Sequence, residues 1–400
     1  MAERGGAGAA GPGLPRRLLT APDQPGSGDI RELARRCGVS VSTVSRALND
    51  RRDVSAATRQ RVLAMAAELG YRPNQQARAL VRRRSDLVGV IWDTGYLATR
   101  GRHPFLQDLL VGLKLAFAST GWHLLLLSTA DPGVDTHVRA ARQHNVDGLI
   151  LMGVDERDPA ITALLASRVP CVAVDLPLHG RHAGYVTSDN RAGAAAAVAH
   201  LHALGHRRIA TISGPRESLP GMERLAGYLY QAAKLDLAVP TGYVETGDFF
   251  LDGGRAAMQR LLALADPPTA VFAAGDQMAI GALDAVHEAG LDVPGQLSVV
   301  GYDDIEAAAL VRPALTTVAQ DSRRLADAAA RLLSGLIAEA RTDGDDEDQG
   351  TGGSPGHVRL APGPRLVPNR LVVRASTGPP PPAGPPLPAP AHPGPPPPGH

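Results

Sequence analysis

From Leu87 onward the chain repeats one pattern, a short apolar run followed by an alanine-rich segment of helical length. LVGVIW, WHLLLL, VDGLILMG, VPCVAVD, RIATISG, AVFAAGD and LSVVGYDD suit strands buried on both faces. Segments such as Phe105–Thr120, Ala192–Leu204 and Gln277–Ala289 alternate with them at helical length. Alternation of this kind predicts parallel sheets flanked by helices, and the number of strands suits two such lobes. A chain of 400 residues with 44% hydrophobic residues can bury a core of that size. No apolar run is long enough to span a bilayer, and the N-terminus lacks the apolar stretch of a secretory signal. Cys37 and Cys171 are far apart and read as reduced, buried residues, which suits a cytoplasmic setting.

A second texture precedes the alternation. Ile30, Leu33, Ala34 and Cys37 recur at helical spacing, Gly38 can take φ > 0, and Ser40 can cap a helix over Val41–Leu48. That helix buries Val44, Ala47 and Leu48 and leaves Val41, Ser42, Ser45, Arg46 and Asn49 for outside contact. Two short helices around a glycine turn make a helix-turn-helix, whose second helix fits the major groove. Ser55 is placed to cap a third helix, with Val62, Met65, Ala66 and Leu69 on its buried stripe and Gly70 at its end. From Asp29 to Arg84 there are thirteen arginines and no lysine against five acidic residues, an excess of eight positive charges, while the whole chain carries only +1. A basic head on an acidic body is the asymmetry expected of a polyanion binder.

GVSVSTVSRALND and VSAATRQRVLAMAAELGYRPN resemble the head of the lactose-repressor (LacI) family, and the resemblance runs on to about Thr377. It implies an all-α helix-turn-helix head over residues 29–73 and a hinge helix and linker over 74–86. It further implies a two-lobed sensor of the periplasmic-binding-protein type over 87–377, its lobes linked near Ser188, Thr317 and Val358. Arg46 matches the family's guanine reader, and a bidentate arginine on guanine is the commonest specific major-groove contact. Val41 and Ser42 hold the positions that vary with operator sequence. Thr43, Ser45, Ser55, Thr58, Asn74 and Arg78 are candidates for contacts that position the protein without specifying sequence, and capping is the favoured role for Ser55. Leu80 matches the leucine that wedges into the central base step, although packing on the third helix is also open to it.

The carboxyl ends of the sensor strands carry Asp93, Asp175, Asp276 and Asp303-Asp304, where open α/β sheets hold ligands. Carboxylates with an arginine and an aromatic suit a sugar, but an aspartate at such a position is also a helix cap or an ion-pair partner. The resemblance narrows the choice to Phe105, Asp175, Arg224, Phe249, Asp276, Asp303 and Gln320 as effector contacts. One departure stands out: the family usually has Asn-Asp where this chain reads Gly275-Asp276, so the ligand can be bulkier there. The expected partners are operator DNA, a small-molecule effector of carbohydrate type and a second copy of the chain, with no membrane. A solute receptor built on the same two lobes is the alternative, and it would need a signal peptide and no head.

The remaining signals are weak. His202 and His206 lie four apart on a helix without a third ligand nearby, so no metal is expected, and no cofactor. Gly6 to Gly11 form a GxGxxG with no strand before it and no helix after it. No catalytic motif is present, so no enzyme is expected. Residues 1–28 and the proline-rich tail 378–400 are expected to be disordered, and 342–356 to form an acidic loop. The tail has no leucine heptad, which favours a dimer over a tetramer.

Overall fold

The structure is a computed structural model that describes residues 29–48, 53–71, 85–92, 103–128, 133–348 and 365–382. The chain divides at Ser85/Asp86 into two units. In the first, α1 (Ile30–Cys37), α2 (Val41–Leu48) and α3 (Ala56–Glu68) enclose a small core. Leu33, Ala34, Cys37, Val44, Ala47, Val62 and Ala66 are buried there, with Val54 closing it from the turn. Leu48, Met65 and Leu69 pack against this core only half-buried. Gly38 ends α1 in the left-handed conformation (φ 64°), which a side chain would resist. Ser40 Oγ accepts from the Thr43 amide at 3.1 Å and Ser55 Oγ from the Thr58 amide at 3.2 Å, so both expected caps form. Glu32 pairs with Arg35 and Arg36 on the exposed side of α1, and these hydrogen bonds hold its carboxyl down at about 2.

The second unit contains two sheets of six strands each among the described residues. The first runs β11-β5-β4-β3-β1-β2, from β1 (Leu87–Trp92), β2 (His123–Leu127), β3 (Gly148–Met152), β4 (Cys171–Val174), β5 (Ala183–Ser188) and β11 (Arg365–Val367), all parallel. The second runs β12-β10-β9-β8-β6-β7, from β6 (Ile209–Ser213), β7 (Val244–Thr246), β8 (Ala270–Ala273), β9 (Ser298–Asp303), β10 (Thr316–Ala319) and β12 (Arg370–Val372). Only β12 is antiparallel to its neighbour. Helices α4 (Pro104–Ala118), α5 (Thr136–Gln143) and α6 (Pro159–Ala166) belong to the first lobe. Helices α7 (Asn190–Ala203), α8 (Leu219–Lys234), α9 (Leu251–Leu262), α10 (Asp276–Glu288) and the short α11 (Glu306–Leu310) belong to the second. Helix α12 (Ser322–Asp348) returns to the first lobe and packs on α4 and on β3, β4 and β5.

The chain therefore crosses between lobes three times, after Ser188, at Gln320 and at Pro368-Asn369. The third crossing is not near Val358: Leu366 and Val367 still pair with Thr187 and Ser188 of the first sheet. Two further expectations are corrected. The acidic stretch from Thr342 is not a loop at its start, because α12 continues through it to Asp348. The tail is not loose at its start either. The Gly378 amide donates to Ser298 Oγ at 3.1 Å, its carbonyl accepts from His206 Nε2 at 3.0 Å, and buried Ser376 bonds to Val299 and Thr316. A proline-rich segment has no ladder of its own, so these side-chain partners fix it. Cys37 and Cys171 are both free and buried, and burial pushes the Cys171 thiol up to about 12. No helix among the described residues is long and apolar enough to cross a membrane.

Candidate functional site

On the head, α2 turns Val41, Ser42 and Arg46 outward and keeps Val44 and Ala47 inside. Thr43 and Ser45 are half-buried at the edge of this face. Arg46 is already oriented: its Nε donates to the Ser42 carbonyl at 3.3 Å, and its Nη1 pairs with Asp53 Oδ2 at 3.0 Å. Both charges are exposed, so the pair is weakly held and open to exchange for another acceptor. Ser40 Oγ lies 2.8 Å from both the Ser42 and Thr43 hydroxyls. Ser55 and Thr58 hydroxyls bond to each other in the α3 cap. Asn49, Asn74, Arg78 and Leu80 lie outside the described residues, as do Asp93 and the glycines at 6–11.

In the sensor, the carboxyl ends of both sheets face one cavity of about 450 Å³ between the lobes. The first lobe contributes His103, Phe105, Asp155, Arg157 and Asp175; the second contributes Glu217, Arg224, Phe249 and Asp303; Gln320 lines it from the second crossing. A shallower hollow of about 700 Å³ between α5 and α6 is lined by exposed Asp135, Arg139 and Arg142 and lies away from the strand ends.

Arg224 is the centre of the cavity's polar floor. It sits on α8, 3% exposed, and donates from Nε to Asn190 Oδ1 at 2.8 Å and from Nη1 to the Ala274 carbonyl at 2.7 Å. Asp303 Oδ1 is 3.4 Å from the same Nη1 and accepts from Gln320 Nε2 at 2.7 Å. Gln320 Oε1 accepts from Ser188 Oγ at 2.6 Å. On the other side, Asn190 Nδ2 donates to Thr187 Oγ1 at 3.1 Å, and Thr187 donates to Asp175 Oδ1 at 2.6 Å. One hydrogen-bonded chain thus runs from Asp175 in the first lobe through Arg224 to Gln320. Burial pushes the Asp175 carboxyl up, partly offset by the Thr187 hydrogen bond and the Arg224 charge.

Apolar surfaces flank this floor. Phe249 holds φ 69° in the left-handed region, which a bulky side chain resists, and its ring fills the space left by the missing side chain of Gly214. Asp175 (φ 58°), Asp303 (φ 118°) and Asp304 (φ 62°) share positive φ, and such backbone outliers cluster at binding sites. The His103 ring makes edge contacts with Phe105, Phe249 and Phe250 at 6.5, 6.4 and 6.1 Å between centroids, so it joins the two lobes. Burial pushes its pKa down against the pull of Asp303, and its Nδ1 is buried without a partner.

The structure brings together Phe105, Asp175, Arg224, Phe249, Asp303 and Gln320. It does not bring in Asp276. That carboxylate is fully buried below the floor, accepting from Thr317 Oγ1 at 2.6 Å and from the Ile305 amide at 2.9 Å. Its position as first residue of α10 turns it toward β10, so it ties the second lobe together. The sequence reading missed His103, Asp155, Arg157 and Glu217. Asp155, Arg157 and Glu217 lie in loops just beyond β3 and β6, so the strand-end rule already applied to the aspartates would have reached them. Arg157 Nη2 and Glu217 Oε1 are 3.8 Å apart across the cavity mouth. No group of three metal-ligating residues occurs among the described residues. His206 is occupied by Thr269 Oγ1 at Nδ1 and by Ser298 Oγ and the Gly378 carbonyl at Nε2.

This architecture has close relatives. Residues 29–74 match the family described as bacterial regulatory proteins, lacI family, and residues 198–377 match the periplasmic binding protein-like domain. The ribose operon repressor of Escherichia coli (strain K12) is 34% identical over 313 residues, covering 78% of this chain and 93% of the relative. The HTH-type transcriptional regulator CelR of Thermobifida fusca is 37% identical over 320 residues, with the same coverage. Among solved structures, the lac repressor dimer bound to operator and the anti-inducer ONPF is 30% identical with a TM-score of 0.69, covering 88% of this chain and 99% of that one. A transcriptional regulator CelR–cellobiose complex is 32% identical with a TM-score of 0.61, covering 87% and 99%. The chain belongs to the LacI family of bacterial regulatory proteins and is a DNA-binding transcriptional regulator, not an enzyme.

Proposed function

We propose that the chain is a dimeric repressor whose interlobe cavity takes a sugar or sugar derivative and thereby sets its grip on a pseudo-palindromic operator. The observation that carries this reading is the buried run Asp175–Thr187–Asn190–Arg224–Asp303–Gln320, which presents charged and amide groups to the cavity and reaches two of the crossings. Vicinal hydroxyls bind well to carboxylate and guanidinium pairs of this kind, and the faces of Phe105 and Phe249 suit the apolar side of a sugar ring. His103 adds a neutral imidazole with a free nitrogen. Gly275 supplies no side chain where the family usually places asparagine, and Phe249, Met278 and Asp303 border the place a Cβ would take, at 3.4, 3.5 and 3.7 Å. The cavity volume of about 450 Å³ accommodates a mono- or disaccharide. Ribose-operon and cellobiose-bound relatives support the same chemical class.

On the DNA side, Arg46 reads a base edge, Val41 and Ser42 tune the readout, and Thr43, Ser45, Ser55 and Thr58 contact the backbone. Asn49, Asn74, Arg78 and Leu80 complete the contact set, with Leu80 as the wedge. The site of action is the bacterial cytoplasm. The test is selection of bound duplexes from a random pool, repeated with ribose, cellobiose, other sugars and nucleosides, alongside thermal shift with each compound. A sequence-specific pool that one sugar releases or recruits is expected. A pool with no consensus, or a shift only with nucleosides, overturns the DNA or the sugar part respectively.

A further inference from the structure

The floor of the cavity and the crossings between lobes meet on one side chain that the sequence did not single out. Tyr302 is fully buried in β9, one residue before Asp303. Its ring face carries the Arg224 guanidinium, whose central carbon lies 3.8 Å from the ring centroid. Its hydroxyl oxygen accepts from Asn369 Nδ2 at 2.5 Å. The same nitrogen donates to the Asp189 carbonyl at 3.0 Å. Asp189 belongs to the first crossing and Asn369 to the third, and the Asp189 amide donates back to the Val367 carbonyl at 2.8 Å. One phenol therefore touches the arginine on its face and, through a single amide, both of those crossings at its rim.

Two independent features show that the neighbourhood is shaped around this contact. Gly193, in the first turn of α7, has no side chain where a Cβ would lie 2.6 Å from the Tyr302 hydroxyl and 3.0 Å from Asn369 Nδ2. Glycine inside a helix weakens it, so its presence keeps space that the helix alone does not need. Asn369 Oδ1 is buried without a hydrogen-bond partner. The Asp189 carbonyl can only accept, so the amide must turn its nitrogen toward it, and the oxygen is left empty. The clamp on the crossings is kept although the amide remains half-satisfied.

We propose that Tyr302 is a positioning residue that couples the cavity to the crossings. Its ring fixes the Arg224 guanidinium, and its hydroxyl, through Asn369, fixes the spacing of the first and third crossings. A ligand that moves Arg224 then moves the pivots about which the lobes turn. The coupling role rests on the reading of the cavity as the effector site.

Tyr302→Phe separates the two halves of this role, because phenylalanine keeps the ring and loses only the hydroxyl. Asn369→Ala removes the same contact from the other side and leaves Tyr302 intact. Spin labels on Arg142→Cys in α5 and Lys234→Cys in α8, both exposed, report the lobe-to-lobe distance in the full chain, and the native cysteines are buried. With excess unlabelled chain and no ligand, both variants are expected to widen the distance distribution roughly twofold at temperatures well below melting. A purely structural role would lower the melting temperature and leave that distribution unchanged. An unaltered distribution in Asn369→Ala overturns the proposal, whether or not Tyr302→Phe folds. Failure of the effector reading would show separately, as wild-type protein with no thermal shift in any sugar of the panel.

Discussion

Replacing Arg224 by methionine removes the charge at the centre of the cavity floor while keeping most of the stem volume. Arg224 and Asp303 are 3% and 4% exposed, so water does not screen what is lost. The substitution deletes donors to Asn190 and Ala274 and leaves Asp303 Oδ1 buried with Gln320 as its remaining partner. Breaking a buried pair in this way costs about 3–5 kcal/mol, because the surviving charge is stranded. For a domain of this size that is a fall of about 5–8 °C in melting temperature. Calorimetry of the full chain measures it, and tryptophan fluorescence assigns the transition, since the only two tryptophans, Trp92 and Trp122, both lie in the sensor. The diagnostic step is Asp303→Asn in the Arg224→Met background. Asparagine tolerates the positive φ at this position and carries no charge. The double variant should return to within about 2 kcal/mol of wild type. Additive losses in the double variant would refute the stranded-charge reasoning, as would a stable Arg224→Met single variant.

Arg46→Ala should lower operator affinity about 10- to 100-fold and leave binding to scrambled duplex nearly unchanged in fluorescence anisotropy; equal loss on both would remove its base-reading role. His206 is buried and pushed below the ordinary histidine value of 6.5, chiefly by desolvation, so its contribution to stability is complete above that pH and is lost as pH falls. Protection of the Gly378 and Val299 amides, taken relative to the intrinsic exchange rate at each pH, should therefore fall below about pH 6.5, and a His206→Asn chain should lose that pH step. Gly254→Ala would drive a Cβ into the Met278 backbone where α9 meets α10, and should cost about 1–3 kcal/mol in urea unfolding.

What was legible in the sequence was whatever is decided by neighbours in the chain. Gly38, Ser40 and Ser55 act within a turn of where they stand, so their roles are readable from the chain alone. The long apolar runs also announced their strands. Two others did not: Ala183–Ser188 carries Thr and Ser at its end, and Val244–Thr246 has only three residues, yet each is set by the partner strand beside it. The floor of the cavity was half visible. Arg224, Asp303 and Gln320 follow from motif resemblance, but Asn190 and Tyr302 join Arg224 across gaps of 34 and 78 residues, and Thr187 joins Asp175 across 12, which no local pattern encodes. Asp276 shows the converse error. A carboxylate at a strand end was assigned to ligand, and the second lobe uses it to hold Thr317 and Ile305.

The central claim is that occupancy of the cavity and grip on DNA are one equilibrium. Linkage requires any ligand that alters operator affinity by a given factor to have its own affinity altered by operator through the same factor. Titrating the sugar identified by thermal shift into protein with and without saturating selected operator measures both directions. The account predicts equal factors, both collapsing to one in Arg224→Ala. A ligand that binds Arg224-dependently with an affinity indifferent to saturating operator would contradict it.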